Sequence, residues 1–241
     1  MLYHSIIVKI GGKILENKEN LESTIAQFKY IYENDIVQKI IIIPGGGTYA
    51  NFVRRIDEKI SIGDELSHWM AIFAMNCNGI ELSQKYNDIK YFDNLGELKK
   101  SNERIVIFLP YDFINQRDEL PHSWSVTSDS ITLYFAHQLG LKDCFLIKDI
   151  DGIISNKNEI LRDLTTSEYK NLKNTDKILT INENQEKIKY SQPIDSYIIN
   201  LINKYNVNCI ILNGCSNMKR IITFFDESED DSKRFYTKIK A

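Results

Sequence analysis

Lys9 stands two residues before the pair Gly11-Gly12, and Pro44 opens a run of three glycines, Gly45-Gly46-Gly47. Each turn follows a branched apolar run, Ile6-Ile7-Val8 in the first case and Ile40-Ile41-Ile42-Ile43 in the second. Glycine allows close approach to the backbone, and bare N–H groups beyond a strand suit phosphate, more so where a helix starts next. A lysine in a buried strand is costly unless its ammonium reaches water or an anion. Lys9 alone reads as well as a residue reaching the sheet edge or pairing with a carboxylate. Beside Gly11-Gly12 the phosphate reading gains. The triple glycine lacks the spacing of a dinucleotide fingerprint and the Gly-Lys-Ser/Thr of a Walker loop. Two such turns point to two phosphate-bearing groups brought together.

Three further segments carry polar groups at element ends. His122-Ser123-Trp124-Ser125-Val126-Thr127-Ser128-Asp129-Ser130 opens an expected helix, with hydroxyls, a carboxylate and an aromatic ring together. Capping explains one or two of these residues but not their density. Asp129 is suited to orienting lysines around a transferred phosphate or to helping hold a magnesium-bound nucleotide. Lys148-Asp149-Ile150-Asp151-Gly152 reads either as an Asp-Gly turn or as a nucleotide contact at a strand end. His68 lies on a helix, where a surface histidine is more often inert than a substrate contact.

The elements that must position these groups alternate between strand and helix. Strands are expected at Ile6–Ile10, 40–43, Ile105–Leu109, Cys144–Ile147, Cys209–Leu212 and Phe235–Ile239. Helices are expected at Glu19–Glu33, Thr48–Lys59, Asp64–Tyr86, Ser123–Leu139, Ile194–Tyr205 and Met218–Phe225. The alternation implies an α/β fold with an open, mostly parallel sheet covered on both sides. The stretch Asn171–Lys189 has few apolar anchors and reads as a mobile loop. Glu227–Asp231 reads as a solvated acidic loop. The exposed part of the Asp64–Tyr86 helix is the surface to examine for self-association.

The 241 residues suffice for one large domain or two small lobes, and the net charge of -3 gives no electrostatic case for nucleic acid or an anionic membrane. No apolar run approaches the roughly 18 residues of a membrane helix, and no signal-peptide organisation is seen. Cys77, Cys144, Cys209 and Cys215 lack metal-site spacing, so no metal-ligand residues are assigned and reduced thiols in a cytoplasm are expected.

Taken together, Lys9-Ile10-Gly11-Gly12, Pro44-Gly45-Gly46-Gly47, Thr127-Ser128-Asp129-Ser130, Ile147–Ile153 and Ile211-Leu212-Asn213-Gly214 resemble the amino acid kinase family, in the family's order and over nearly the whole chain. Acetylglutamate, aspartate, uridylate and isopentenyl phosphate kinases are members. The resemblance implies a three-layer αβα sandwich, with an acceptor-binding lobe over 1–140 and an ATP-binding lobe over 141–241. It implies ATP with Mg2+ as donor, and Lys9 and Asp129 as catalytic residues. Lys9, Gly11, Gly12, Lys13, Lys148, Asp149, Asp151 and Gly152 would meet the nucleotide or the moving phosphoryl group. Gly45, Gly46, Gly47, Arg54, His68, His122, Trp124 and Thr127 would meet the acceptor.

Around Leu66-Ser67-His68, His122-Ser123-Trp124 and Tyr236-Thr237-Lys238-Ile239, the likeness is to a branch that converts a phosphate monoester into a diphosphate. A furan-type phosphomonoester is therefore the expected acceptor. Another acceptor of the same fold (an isoprenoid phosphate, a nucleotide, an amino-acid carboxylate) and a non-catalytic nucleotide- or oxyanion-binding role are the alternatives. Dimers are common in the family. Two departures stand out. Lys13 replaces the serine of many members. Where many carry Gly-Met-x-x-Lys, this chain reads Ser191-Gln192-Pro193-Ile194-Asp195, with Lys187 and Lys189 just upstream.

Overall fold

The computed structural model describes residues 3–178 and 193–241. The branched apolar runs form a sheet whose order is β3-β4-β2-β1-β5-β7-β8-β6 among the described residues. Its inner strands are β1 (Tyr3–Ile10), β2 (Val37–Pro44), β4 (Ile105–Phe108), β5 (Asp143–Lys148) and β7 (Asn208–Asn213). They pair in parallel and are almost wholly buried, as expected of strands covered on both faces. Short strands flank them, β3 (Lys90–Phe92) on one side and β6 (Asp163–Thr165) with β8 (Thr237–Lys240) on the other. The expected last strand is β8, and it runs antiparallel to β7, the one reversed pairing of the described sheet.

Helices cover both faces. Alternation along β1 sends Ile6, Val8 and Ile10 to a core with α1 (Gly12–Glu16), α2 (Lys18–Glu33) and α10 (Arg220–Phe225). Ile7 faces the opposite core, built with α4 (Asp64–Lys85), α7 (Ser128–Gln138) and α9 (Ile198–Tyr205). The same alternation puts Lys9 on the α7 side, opposite Asp129. The chain steps from β1 outward through β2 and β4, then crosses to β5 on the other flank, so the strand order reverses between β1 and β5. Ligands of open α/β sheets bind at the carboxyl ends of strands at such a reversal.

Several boundaries differ from expectation. The helix expected from Ser123 starts at Ser128, because the Thr127 hydroxyl caps it by accepting from the Asp129 N–H. His122–Val126 is a turn in front of it. The helix expected from Ile194 starts at Ile198. Asn171–Asn174, expected in a loop, ends α8 (Thr166–Asn174), which opens with a capping box between Thr165 and Glu168. The rest of that expected loop from 179 onward lies outside the described residues, as do Lys187, Lys189, Ser191 and Gln192. Helices α3 (Gly47–Ile60), α5 (Leu95–Lys100) and α6 (Tyr111–Arg117) are the remaining α-helices among the described residues.

Most of the exposed large apolar side chains, Tyr49, Phe52, Ile60, Leu66, Phe73 and Ile80, lie on α3 and α4. Cys144 and Cys209 are fully buried in β5 and β7, and burial pushes both thiols up. None of the helices of the described residues is long and apolar enough to cross a membrane.

Candidate active site

Lys9, next to last in β1, and Lys148, last in the neighbouring β5, reach the same carboxylate with their ammoniums. Lys9 Nζ lies 2.9 Å from Asp129 Oδ1, and Lys148 Nζ donates to Asp129 Oδ2 at 2.7 Å. The Asp129 side chain is only 4% exposed, so its charge depends on these partners. Burial pushes Asp129 up, but the ammoniums of Lys148 and Lys9 outweigh burial and hold it well below the usual carboxylate range. Burial lowers Lys9, and Asp129 opposes that shift. Asp129 also sits in the first turn of α7, where the helix dipole favours an anion.

A second, half-buried carboxylate, not singled out from the sequence, fixes this group from behind. Asp195 Oδ2 accepts from the N–H and hydroxyl of Thr127 and from the Ser130 N–H, each at 2.9 Å. Its Oδ1 accepts from the Ser130 hydroxyl at 2.6 Å and the Ile198 N–H at 2.9 Å. The segment before α9 is thereby tied to the start of α7. Burial raises Asp195, and so does Asp129 beside it. An acidic residue three before a helical run is the only sequence signal for this role, and the expected earlier helix start obscured it.

The two glycine turns touch. A Cβ on Gly12 would come within 2.9 Å of the Gly47 Cα, so the first turn tolerates no side chain at this contact. Gly47 has a φ of 50°, and the Asn78 amide donates to the Gly45 carbonyl at 2.6 Å to brace the turn. Not all the glycine amides are bare. Gly11 N–H donates to Ile147 O at 2.8 Å and Gly45 N–H to Ile10 O at 2.9 Å, extending the ladder beyond the strand ends. Those two positions therefore shape the turns rather than offering a donor. The N–H groups of Gly12, Gly46 and Gly47 have no hydrogen-bond partner among the described residues.

A cavity of about 250 Å³ opens over these turns. Lys9, Gly12, Lys13, Gly46, Gly47, Arg54, His68, Trp124 and Thr127 all line it, with Glu16 and Ser123 as further polar neighbours. The Arg54 guanidinium lies 4.2 Å over the Trp124 ring and makes no ion pair or hydrogen bond among the described residues. Trp124 Nε1 donates to Asp57 at 2.8 Å, which fixes the ring. His68 is buried and its Nε2 has no partner, while burial and then the neighbouring His122 push its pKa down to about 4. His122 does not line the cavity. It stacks on His68 with centroids 4.9 Å apart and places Nε2 2.6 Å from Asp118 Oδ1, so it supports His68 from outside.

On the other side of Lys9, Lys13 Nζ lies 3.2 Å from Asp149 Oδ2, bringing the first turn against the end of β5. Asp151 accepts from Arg220 Nε at 2.9 Å and from the Asn213 amide at 3.3 Å. Gly152 has a φ of 141°, and a Cβ there would meet Thr237 Oγ1 at 2.6 Å. Close packing on β8 therefore accounts for this glycine without a ligand.

A model of the amino acid kinase family matches residues 5–213, and the chain belongs to that family. It is thus a kinase, a phosphotransferase. Over 198 residues it is 34% identical to the [5-(aminomethyl)furan-3-yl]methyl phosphate kinase of Methanocaldococcus jannaschii, a match covering 80% of this chain and 87% of that protein. Among solved structures, the UMP kinase of Ureaplasma parvum aligns with a TM-score of 0.66 at 16% identity, covering 99% of this chain and all of that one. The uridylate kinase of Archaeoglobus fulgidus aligns at 0.65 and 13%, covering 97% and 99%. At such identities the structural likeness concerns the fold, a three-layer αβα sandwich.

Proposed function

We propose that the protein transfers the γ-phosphoryl group of ATP to a phosphomonoester, (aminomethylfuranyl)methyl phosphate, to give the diphosphate. The observation that carries this reading is the cavity over the glycine turns, where the unpaired Arg54 guanidinium, the orphaned His68 Nε2 and bare amides share one small space. Such groups recognise a phosphate monoester, and a neutral imidazole adds a single directed hydrogen bond. The volume lies below the roughly 300–1,000 Å³ of typical ligand pockets, which favours a compact acceptor over a nucleotide. Trp124 offers a flat face to a ring, and Glu16 offers a charge to the acceptor's ammonium. The name of the Methanocaldococcus relative points the same way.

In this reading 1–140 holds the acceptor and 141–241 the nucleotide, with the reaction at the reversal between β1 and β5. Lys9 bridges the transferred phosphoryl group, and Asp129 holds Lys9 in place. Lys13 and Lys148, with Asp149 and Asp151, face the nucleotide. The acceptor's phosphate oxygen is already ionised at neutral pH, so no general base is required. Positioning and charge neutralisation then account for catalysis. Magnesium would arrive with the nucleotide. Among the described residues no group of three or more His, Cys, Asp or Glu converges to cage it. A cytoplasmic setting fits the buried free thiols, and the apolar face of α3 and α4 is the surface on which we place self-association.

The test is ADP release with magnesium across an acceptor panel of (aminomethylfuranyl)methyl phosphate, isopentenyl phosphate and UMP. A kcat/KM for the furan acceptor at least about 100-fold above the others supports the reading. Equal or better turnover of another acceptor overturns the furan assignment.

A further inference from the structure

Asp129 serves two lysines, and the second of them has no structural need to be there. One ammonium suffices to neutralise a buried carboxylate, and a second beside it adds desolvation and like-charge repulsion. Lys148 is nevertheless held to 14% side-chain exposure at the last position of β5, and Coulomb repulsion from it is one of the causes lowering Lys9. An ammonium carries three donors, and among the described residues Lys148 spends one, on Asp129. Its Cα lies 3.8 Å from where a Gly11 Cβ would stand, so it borders the first glycine turn. Lys9 and Lys148 thus come from the two strands that flank the reversal of strand order, one on each side of the crevice.

We propose that Lys148 is a catalytic residue, the second cation on the transferred phosphoryl group, acting from the nucleotide side while Lys9 faces the acceptor cavity. Lys9 lines that cavity and Lys148 does not. As the acceptor's phosphate oxygen bonds to the γ-phosphorus, the bond from that phosphorus to the β,γ-bridging oxygen breaks. The bridging oxygen leaves with the electron pair on ADP, and no proton moves. Lys148 neutralises the charge that grows on the phosphoryl and leaving oxygens. Asp129, shared between both lysines, sets their separation. The Asp195 oxygens pair with neither lysine, because Thr127, Ser130 and Ile198 take them, and its N–H donates to Asp129 Oδ2 at 3.3 Å.

This inference rests on the phosphoryl-transfer reading but not on which acceptor is used. Steady-state kinetics at saturating ATP and acceptor, with thermal melts alongside, separate it from a structural role. Lys148→Met is expected to lower kcat by about 100-fold or more while leaving the acceptor KM within about threefold. Lys148→Gln restores a hydrogen bond to Asp129 without the charge and is expected to stay as impaired. Lys148→Arg restores the charge and is expected to recover at least about tenfold over Gln. Turnover by the unmodified protein reports on the kinase reading, whereas the ratios among variants report on Lys148, so the two fail separately. If Lys148→Met does not fold, the Gln and Arg pair decides alone. A folded Met or Gln variant that keeps kcat within about threefold of the unmodified protein overturns the proposal.

Discussion

At the residue scale the central object is Asp129 between Lys9 and Lys148. Asp129→Asn removes the carboxylate shared by the ammoniums of Lys9 and Lys148, and breaking such a cluster typically costs about 3–5 kcal/mol. Urea unfolding of the variant is expected to show a loss of that size. The folded-state pKa of Asp129 lies below its unfolded value, so its contribution is complete above the ordinary carboxylate range. That contribution is lost as the pH falls below about 4. Melting temperature against pH should therefore drop on that acid limb for the unmodified protein and be flatter for Asp129→Asn. His68 behaves differently. With a folded pKa of about 4 it is neutral at physiological pH, and a proton is taken up on unfolding between about 4 and its unfolded value of about 6.5, so its burial costs stability as the pH falls through that window. His68→Gln keeps a donor but not the ring, and is expected to raise the acceptor KM about tenfold with a smaller change in kcat.

At the element scale the glycine turns decide whether donor and acceptor phosphates meet. Gly12→Ala places a methyl 2.9 Å from the Gly47 Cα, and backbone must move to admit it. A shift near 1 Å at a reaction centre costs about 100-fold in rate, so kcat/KM should fall by that order. The melting temperature of the same variant should change only modestly, since the turn is at the surface of the sheet. The turns were readable in the sequence because consecutive glycines after a branched apolar run have few structural uses. What that pattern does not contain is which amides remain bare. Gly11 and Gly45 spend theirs on neighbouring strands, a pairing set by the sheet order rather than by the local residues. The three-residue strands β3 and β6 are too short to show a period, and Asp195 acts on residues 65 to 68 positions away. His122 was readable as part of a polar cluster but not as a residue turned from the cavity toward Asp118.

At the scale of the whole molecule the site straddles the two halves of the chain, joined by the parallel ladder of β1 and β5. Lys9 and the glycine turns come from the first half, and Lys148 and Asp149 from the second. The halves also share one aromatic cluster, in which Phe145 of β5 meets Tyr3, Phe224 and Phe225. Phe145→Ala is expected to destabilise the whole protein by about 3–5 kcal/mol in a single unfolding transition, followed by circular dichroism in urea. Two separate transitions would show that the halves are not coupled in this way. The central claim is phosphoryl transfer to a phosphomonoester over Lys9, and phosphorus NMR reads it directly. With ATP, magnesium and (aminomethylfuranyl)methyl phosphate, the protein should produce the resonances of ADP and of the furanylmethyl diphosphate together. Well-folded Lys9→Met should produce neither above background. Absence of any diphosphate with the unmodified protein, or undiminished transfer by Lys9→Met, would contradict the account.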